Sequence, residues 1–263
     1  MTYETILFDV HEHLARVTLN RPDAANSINL TLARELMDVA IRCDEDRKIR
    51  AVLLTGAGDK MFSAGGDLKG FAAVGDRISS VLKEITTYLH AATSRFARMD
   101  TPLIAAVNGV AAGAGMSLAI SADIVMAAAS AQFTMAYTAV GLSPDGSATY
   151  FVPRLIGLRR AQELLLTNRR LSAQEALDWG LINKVVPDAD LMQEAEALAT
   201  TLANGPTLAF GSIKRLLNES FSGTLETQME LETRAIAQMA TTRDGHEGIA
   251  AFVEKRPPNF SGQ

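Results

Sequence analysis

Two short runs of small residues stand where backbone amides could steady a developing negative charge. The first, Met61-Phe62-Ser63-Ala64-Gly65-Gly66-Asp67-Leu68, follows an apolar stretch that ends in Gly56 and Gly58. Small side chains there let a ligand come close to main-chain N–H groups. The second, Gly113-Ala114-Gly115-Met116-Ser117, lies between a strand-like and a helix-like segment. The first turn of a helix leaves its amides without internal partners and adds partial positive charge. Two such turns, each offering one amide, suit an oxyanion hole for an enolate or a tetrahedral oxyanion. Tight connections and close packing of a helix on a sheet account for the same glycines without any ligand.

Proton chemistry needs a titratable partner. Asp145, in Gly141-Leu142-Ser143-Pro144-Asp145-Gly146, is the best-placed carboxylate, set among apolar neighbours and suited to general-base work. The same Pro-Asp-Gly spelling also makes a turn, and Asp145 could cap a helix that starts near Ser147. His90 sits on an amphipathic helical stretch beside Tyr88 and Leu89, where a lone histidine usually has a structural role. His11 and His13 flank Glu12 with strand spacing, which puts both on one side, but no third ligand accompanies them and no metal site is expected. Gly113 and Gly115 partly mimic a dinucleotide fingerprint, yet Leu118 occupies the third small position and no acid follows at the right distance. Zinc-protease, phosphate-loop and nucleophile-elbow motifs do not occur.

The elements that must carry these residues alternate. Thr5 to Val10 and His13 to Leu19 read as strands, and Thr31 as the cap of a helix with Leu32, Leu36, Val39, Ala40 and Cys43 on its apolar face. Ala51 to Thr55 and Pro102 to Val107 read as buried strands, separated by a long helix from about Asp76 to Met99. A strand pair, Asp123 to Ala127 and Gln132 to Met135, comes next, and the pattern is helical after Ser147 apart from breaks at Pro187, Gly205-Pro206 and Pro257-Pro258. The layout is α/β, with a core domain over residues 1–204 and a helical C-terminal region over 205–263.

Composition narrows the function classes. The 25 Lys and Arg against 30 Asp and Glu give a net charge of −5, the wrong sign for sequence-independent nucleic-acid binding. A hydrophobic share of 48% belongs to a chain that builds a core. The single cysteine, Cys43, excludes an intrachain disulfide and a cysteine-built metal site. No window is apolar enough for a membrane span, and the acidic start lacks the features of a secretory signal. A cytoplasmic location is expected.

The motifs together resemble the crotonase (enoyl-CoA hydratase/isomerase) superfamily. The resemblance rests on Phe62 to Leu68, on Ala105-Ala106-Val107-Asn108-Gly109-Val110-Ala111-Ala112-Gly113-Ala114-Gly115 with Ala122-Asp123 after it, on Leu171 to Leu177 with Trp179-Gly180-Leu181-Ile182, and on Ala251-Phe252-Val253-Glu254-Lys255-Arg256. It implies a spiral of β-β-α turns, a helical C-terminal trimerisation region, and trimers that commonly pair into hexamers. It also implies an acyl-CoA thioester substrate, with CoA part of the substrate and no separate cofactor. The amides of Ala64 and Ala114 would hold the thioester oxygen, while Ala64, Gly65, Gly66, Asp67 and Leu68 would line the CoA path. Tyr137 would face the substrate, and Phe252 and Lys255 match positions that touch CoA, often from a neighbouring subunit.

The chain departs from the hydratases of that superfamily at both glutamate positions, which hold Ser117 and Tyr137. Hydration by the two-glutamate route is therefore not expected. Asp145 instead matches the single acid of several isomerases, which implies a Δ3,Δ2-enoyl-CoA isomerase or a relative that isomerises ring-epoxide acyl-CoAs. A local resemblance to 4-halobenzoyl-CoA dehalogenase implies a second reading, with Asp145 as nucleophile and His90 activating water. A third is a homologue that binds acyl-CoA without turnover.

Overall fold

The computed structural model describes residues 2–263. Strands β1 (Ile6–His11) and β2 (Leu14–Leu19) form an antiparallel hairpin. Its turn puts Glu12 at φ 54°, so His11 ends one strand and His13 lies in the turn, and the two imidazoles do not share a strand face. Helix α1 (Leu30–Glu45) begins two residues earlier than a Thr31 cap would require, because Asn29 caps it by accepting from the Leu32 amide at 2.9 Å.

Three successive β-β-α units follow. β3 (Ala51–Gly56) and β4 (Met61–Ser63) lead into α2 (Leu68–Ala73) and α3 (Ile78–Arg98); β5 (Leu103–Val107) and β6 (Val110–Ala112) lead into α4 (Ala114–Ile120); β7 (Ile124–Ala128) and β8 (Gln132–Thr134) lead into α5 (Ala148–Thr167). Each unit gives one strand to each of two sheets, and this repeated division is what makes the chain a spiral. Two strands lie beyond Ser147, in the stretch expected to be helical: β9 (Leu171–Ser172) and β10 (Lys184–Val186). They close the edges of the two sheets, ordered β1-β2-β3-β5-β7-β10 and β4-β6-β8-β9.

Every residue of β3 and β5 is buried, as fits parallel strands covered on both faces. Helices α6 (Ala173–Trp179) and α7 (Leu191–Ala203) complete the body, and α8 (Thr207–Glu219), α9 (Leu225–Ala240) and α10 (Arg243–Glu254) follow the turn at Gly205. No described helix is long and apolar enough to cross a membrane.

An ion pair docks α8 on the body. Lys214 Nζ lies 2.8 Å from Asp123 Oδ2 and donates at 2.9 Å to the carbonyls of Phe96 and Thr101. Burial pushes the Lys214 ammonium down and the Asp123 carboxyl up from their usual ranges, so each charge depends on the other. Lys214→Met should cost about 2–3 kcal/mol, less than a fully buried pair because Asp123 keeps some solvent access. Calorimetry should find the melting midpoint lowered by roughly 5–10 °C, and an unchanged midpoint would remove the pair from the account.

Candidate active site

The loop after β4 is held from below by the turn that precedes α1. Asn26 is fully buried and donates to the carbonyls of Ala57 and Met61, both at 2.9 Å, while Ser63 Oγ donates to the Asn26 carbonyl. The Ile28 amide donates to Gly65 O at 2.7 Å, and the Asp67 amide donates to Ile28 O at 3.1 Å. This ladder corrects one site expectation. The Ala64 amide donates to the Ala25 carbonyl at 2.9 Å and has no proton left for a ligand. The loop's open donor is the Gly66 amide, which skips the ladder and has no acceptor among the described residues.

Two residues near it explain its exposure. Gly65 adopts φ 86°, a left-handed conformation that favours glycine, and a Cβ there would come within 2.7 Å of Ala112 O and 3.1 Å of Ala114 N. The two small-residue turns thus touch at Gly65. Asp67 accepts from the Gly70 amide at 3.1 Å as the cap of α2 and pairs with Arg21 at 3.0 Å. Burial works against its charge, but these two donors outweigh burial and hold the carboxyl below its usual range. Asp67 therefore shapes the loop, and Leu68 follows it with about half its surface exposed, 49%.

The second turn delivers the other amide. Gly113 turns the chain at φ 51° from β6 into α4, and the Ala114 N–H, at the first helical position, has no acceptor among the described residues. Helix α4 has only seven residues, so the individual N–H group matters more there than the summed dipole. Gly115 has no room for a side chain, since a Cβ would meet Ser63 at 2.5 Å.

Ala64, Gly66, Gly113, Ala114, Tyr137 and Asp145 line one cavity of about 270 Å³, walled by Ile28, Phe71, Leu82, Ile85, Leu89 and Met135. Asp145 is the only carboxylate among its lining residues. Its side chain does not cap α5, which has no side-chain cap bond. Instead the Tyr137 hydroxyl donates to Asp145 Oδ1 at 2.6 Å and lies 3.2 Å from Ser117 Oγ. Burial, and then the adjacent Asp145 carboxylate, pushes the Tyr137 phenol far above its usual range, so it stays a donor. One carboxylate oxygen is thereby fixed and Oδ2 is left without a partner among the described residues. A larger groove of about 480 Å³ lies between α5 and α8, but its carboxylate, Asp123, is committed to Lys214.

Five expected contributors are not among the lining residues: Gly65 and Asp67, which shape the loop from behind, and His90, Phe252 and Lys255. His90 is exposed, and its Nε2 accepts from the Gly146 amide at 3.1 Å on the far side of the Asp145 loop. Phe252 is 86% exposed on α10, and Lys255 ends that helix in a left-handed conformation; neither lines the cavity of its own chain. The open Gly66 amide and the Tyr137–Asp145 bond were missed in the sequence, although Tyr137 itself was singled out there. Both depend on partners that no local pattern specifies.

The chain is similar to known proteins along its whole length. The family model for enoyl-CoA hydratase/isomerase matches residues 9–263. A probable enoyl-CoA hydratase of Rhodobacter capsulatus is 40% identical, with 100% of both chains covered. A 1,2-epoxyphenylacetyl-CoA isomerase of Escherichia coli is also 40% identical, with 99% of both covered. The crystal structure of an enoyl-CoA hydratase from Bacillus anthracis superimposes with a TM-score of 0.93 at 34% identity, over 99% of this chain and 100% of that one.

Proposed function

Because the chain belongs to the enoyl-CoA hydratase/isomerase family, we propose that it shifts a carbon–carbon double bond in an enoyl-CoA, using Asp145 as a single proton shuttle. The observation that carries this reading is the lone carboxylate: Asp145 shares its cavity with two open amides, and Ser117 and Tyr137 supply no second acid. Asp145 Oδ2 takes a proton from the carbon α to the thioester. The electron pair of that C–H bond moves toward the thioester oxygen, and the amides of Ala114 and Gly66 stabilise the resulting dienolate. The same carboxyl returns the proton at the γ carbon, leaving the double bond conjugated with the thioester. Proton out equals proton in, so no redox cofactor is needed.

The apolar walls support an acyl group without charged substituents, and Thr86 in that wall already spends its hydroxyl on the Leu82 carbonyl. A trimer, paired into hexamers, belongs to the same proposal. Its support is the apolar surface left uncovered on α9 and α10, including Leu225, Met229, Ile236 and Phe252. Phe252 and Lys255 would then reach CoA from a neighbouring subunit. The dehalogenase reading loses support, because the His90 nitrogen that would accept a proton from water is occupied by the Gly146 amide.

Purified protein should convert 3-enoyl-CoAs into 2-enoyl-CoAs across a panel of short, medium and long acyl chains. The absorbance of the conjugated thioester should rise with no change of mass. A product heavier by one water would replace the isomerase reading with hydration, and tight binding without turnover would point to a non-catalytic homologue.

A further inference from the structure

The segment Asp145-Gly146-Ser147 contains two consecutive left-handed residues, Gly146 at φ 60° and Ser147 at φ 73°. Serine has no intrinsic preference for that conformation, so the surroundings must hold it. Inside the cavity the hold is the Tyr137 hydroxyl on Asp145 Oδ1. Behind the loop, Gly146 packs so closely that a Cβ would meet Ser117 at 3.0 Å, and its buried amide donates to His90 Nε2 at 3.1 Å. No other described residue accepts from that amide. His90 approaches from helix α3 through a separate cavity of about 350 Å³ that it shares with Thr93, Arg98, Ser147 and Tyr150. The imidazole therefore grips the main chain one residue beyond the acid, from outside the substrate cavity.

We propose that His90 is a positioning residue for the proton shuttle: its unprotonated Nε2 anchors the Gly146 amide and so fixes where Asp145 points, without touching substrate. This rests on the isomerase reading for its kinetic effect but not for its structural content. A bare ring nitrogen is required, because a protonated Nε2 donates and cannot accept. A buried amide left without an acceptor would move to find one, carrying its neighbour with it. Displacement of a reacting group by a fraction of an ångström is enough to cost an order of magnitude or more in rate.

The test compares three variants and one small molecule. His90→Ala should lower kcat about tenfold or more with KM within about twofold, since the acyl cavity itself is untouched. His90→Gln keeps an acceptor oxygen within reach and should stay within about threefold of wild type, whereas His90→Lys, a donor only, should be as impaired as the alanine variant. Added imidazole should restore part of the rate of His90→Ala, because the vacated side chain faces an open cavity. Melting midpoints exclude simple unfolding. Independently of turnover, long-range 1H–15N spectra should show His90 as the Nδ1–H tautomer. Wild-type kcat in His90→Ala, or a proton on Nε2 at neutral pH, would overturn the proposal. If the wild type isomerises nothing while the Nδ1–H tautomer is found, the isomerase reading has failed and the anchoring role has not.

Discussion

Asp145→Asn should abolish nearly all turnover of a 3-enoyl-CoA, lowering kcat by about 10³–10⁴-fold while the apparent affinity for substrate changes by no more than about threefold. The substitution separates basicity from geometry. Asparagine has the same shape, and its amide oxygen can still accept from the Tyr137 hydroxyl, which bonds Asp145 Oδ1 at 2.6 Å. Only the capacity to take a proton is lost, from a cavity whose lining holds no other carboxylate. Ser117 cannot substitute, because its hydroxyl is fully buried and placed 3.2 Å from both the Gly113 carbonyl and the Tyr137 hydroxyl. Tyr137 cannot either, since burial and the adjacent carboxylate keep its phenol protonated. Steady-state absorbance measurements check the rate, and titration with an unreactive acyl-CoA checks binding. An asparagine variant with wild-type kcat would remove Asp145 from the chemistry altogether.

What could be read in the sequence follows from how local each signal is. The alternation of the longer strands and helices is legible as far as β8, because buried strands such as Ala51–Gly56 and amphipathic helices such as Ile78–Arg98 carry their pattern within one segment, whereas the three-residue strands β4 and β6 are not. Strands β9 and β10 have two and three residues and gain their hydrogen bonds from β8 and β7, which lie far upstream. A segment that short has no periodicity of its own. Asn29 outranked Thr31 as the cap of α1 through the direction of one side chain, which composition does not encode.

The site divides in the same way. Gly65 and Gly113 mark the two turns in the sequence, and both take positive φ in the fold. Which amide of the first turn stays open is decided by Ala25 O, which claims the Ala64 N–H, and by the pairing of Ile28 with Gly66. Ala25 lies in a turn before α1, and nothing between it and Ala64 announces the contact. The correction from Ala64 to Gly66 moves the donor two residues along the loop, away from a spent amide. Asp145 was legible as a candidate acid, but its two restraints come from Tyr137, eight residues upstream, and His90, on another element.

The oxyanion hole can be tested at Ala114 more sharply than at Gly66. Side-chain changes leave a backbone N–H in place, and at Gly66 any Cβ would meet Phe71 at 2.7 Å, confounding loss of a donor with loss of fold. Proline at position 114 removes the N–H itself. Position 114 is the first residue of α4, where proline is well tolerated because that amide has no helical partner to lose. The preceding residue must avoid the helical region, and Gly113 does so at φ 51°, ψ −129°. Ala114→Pro should therefore melt within a few degrees of wild type. Its kcat should fall by about 10²–10³-fold, the loss typical when one preorganised donor to an oxyanion is deleted. The new ring also occupies space beside the thioester, so some rise in KM should accompany the fall in kcat. If kcat survives unchanged in a folded Ala114→Pro protein, the thioester oxygen is not held at the start of α4, and charge stabilisation must be sought at Gly66 alone.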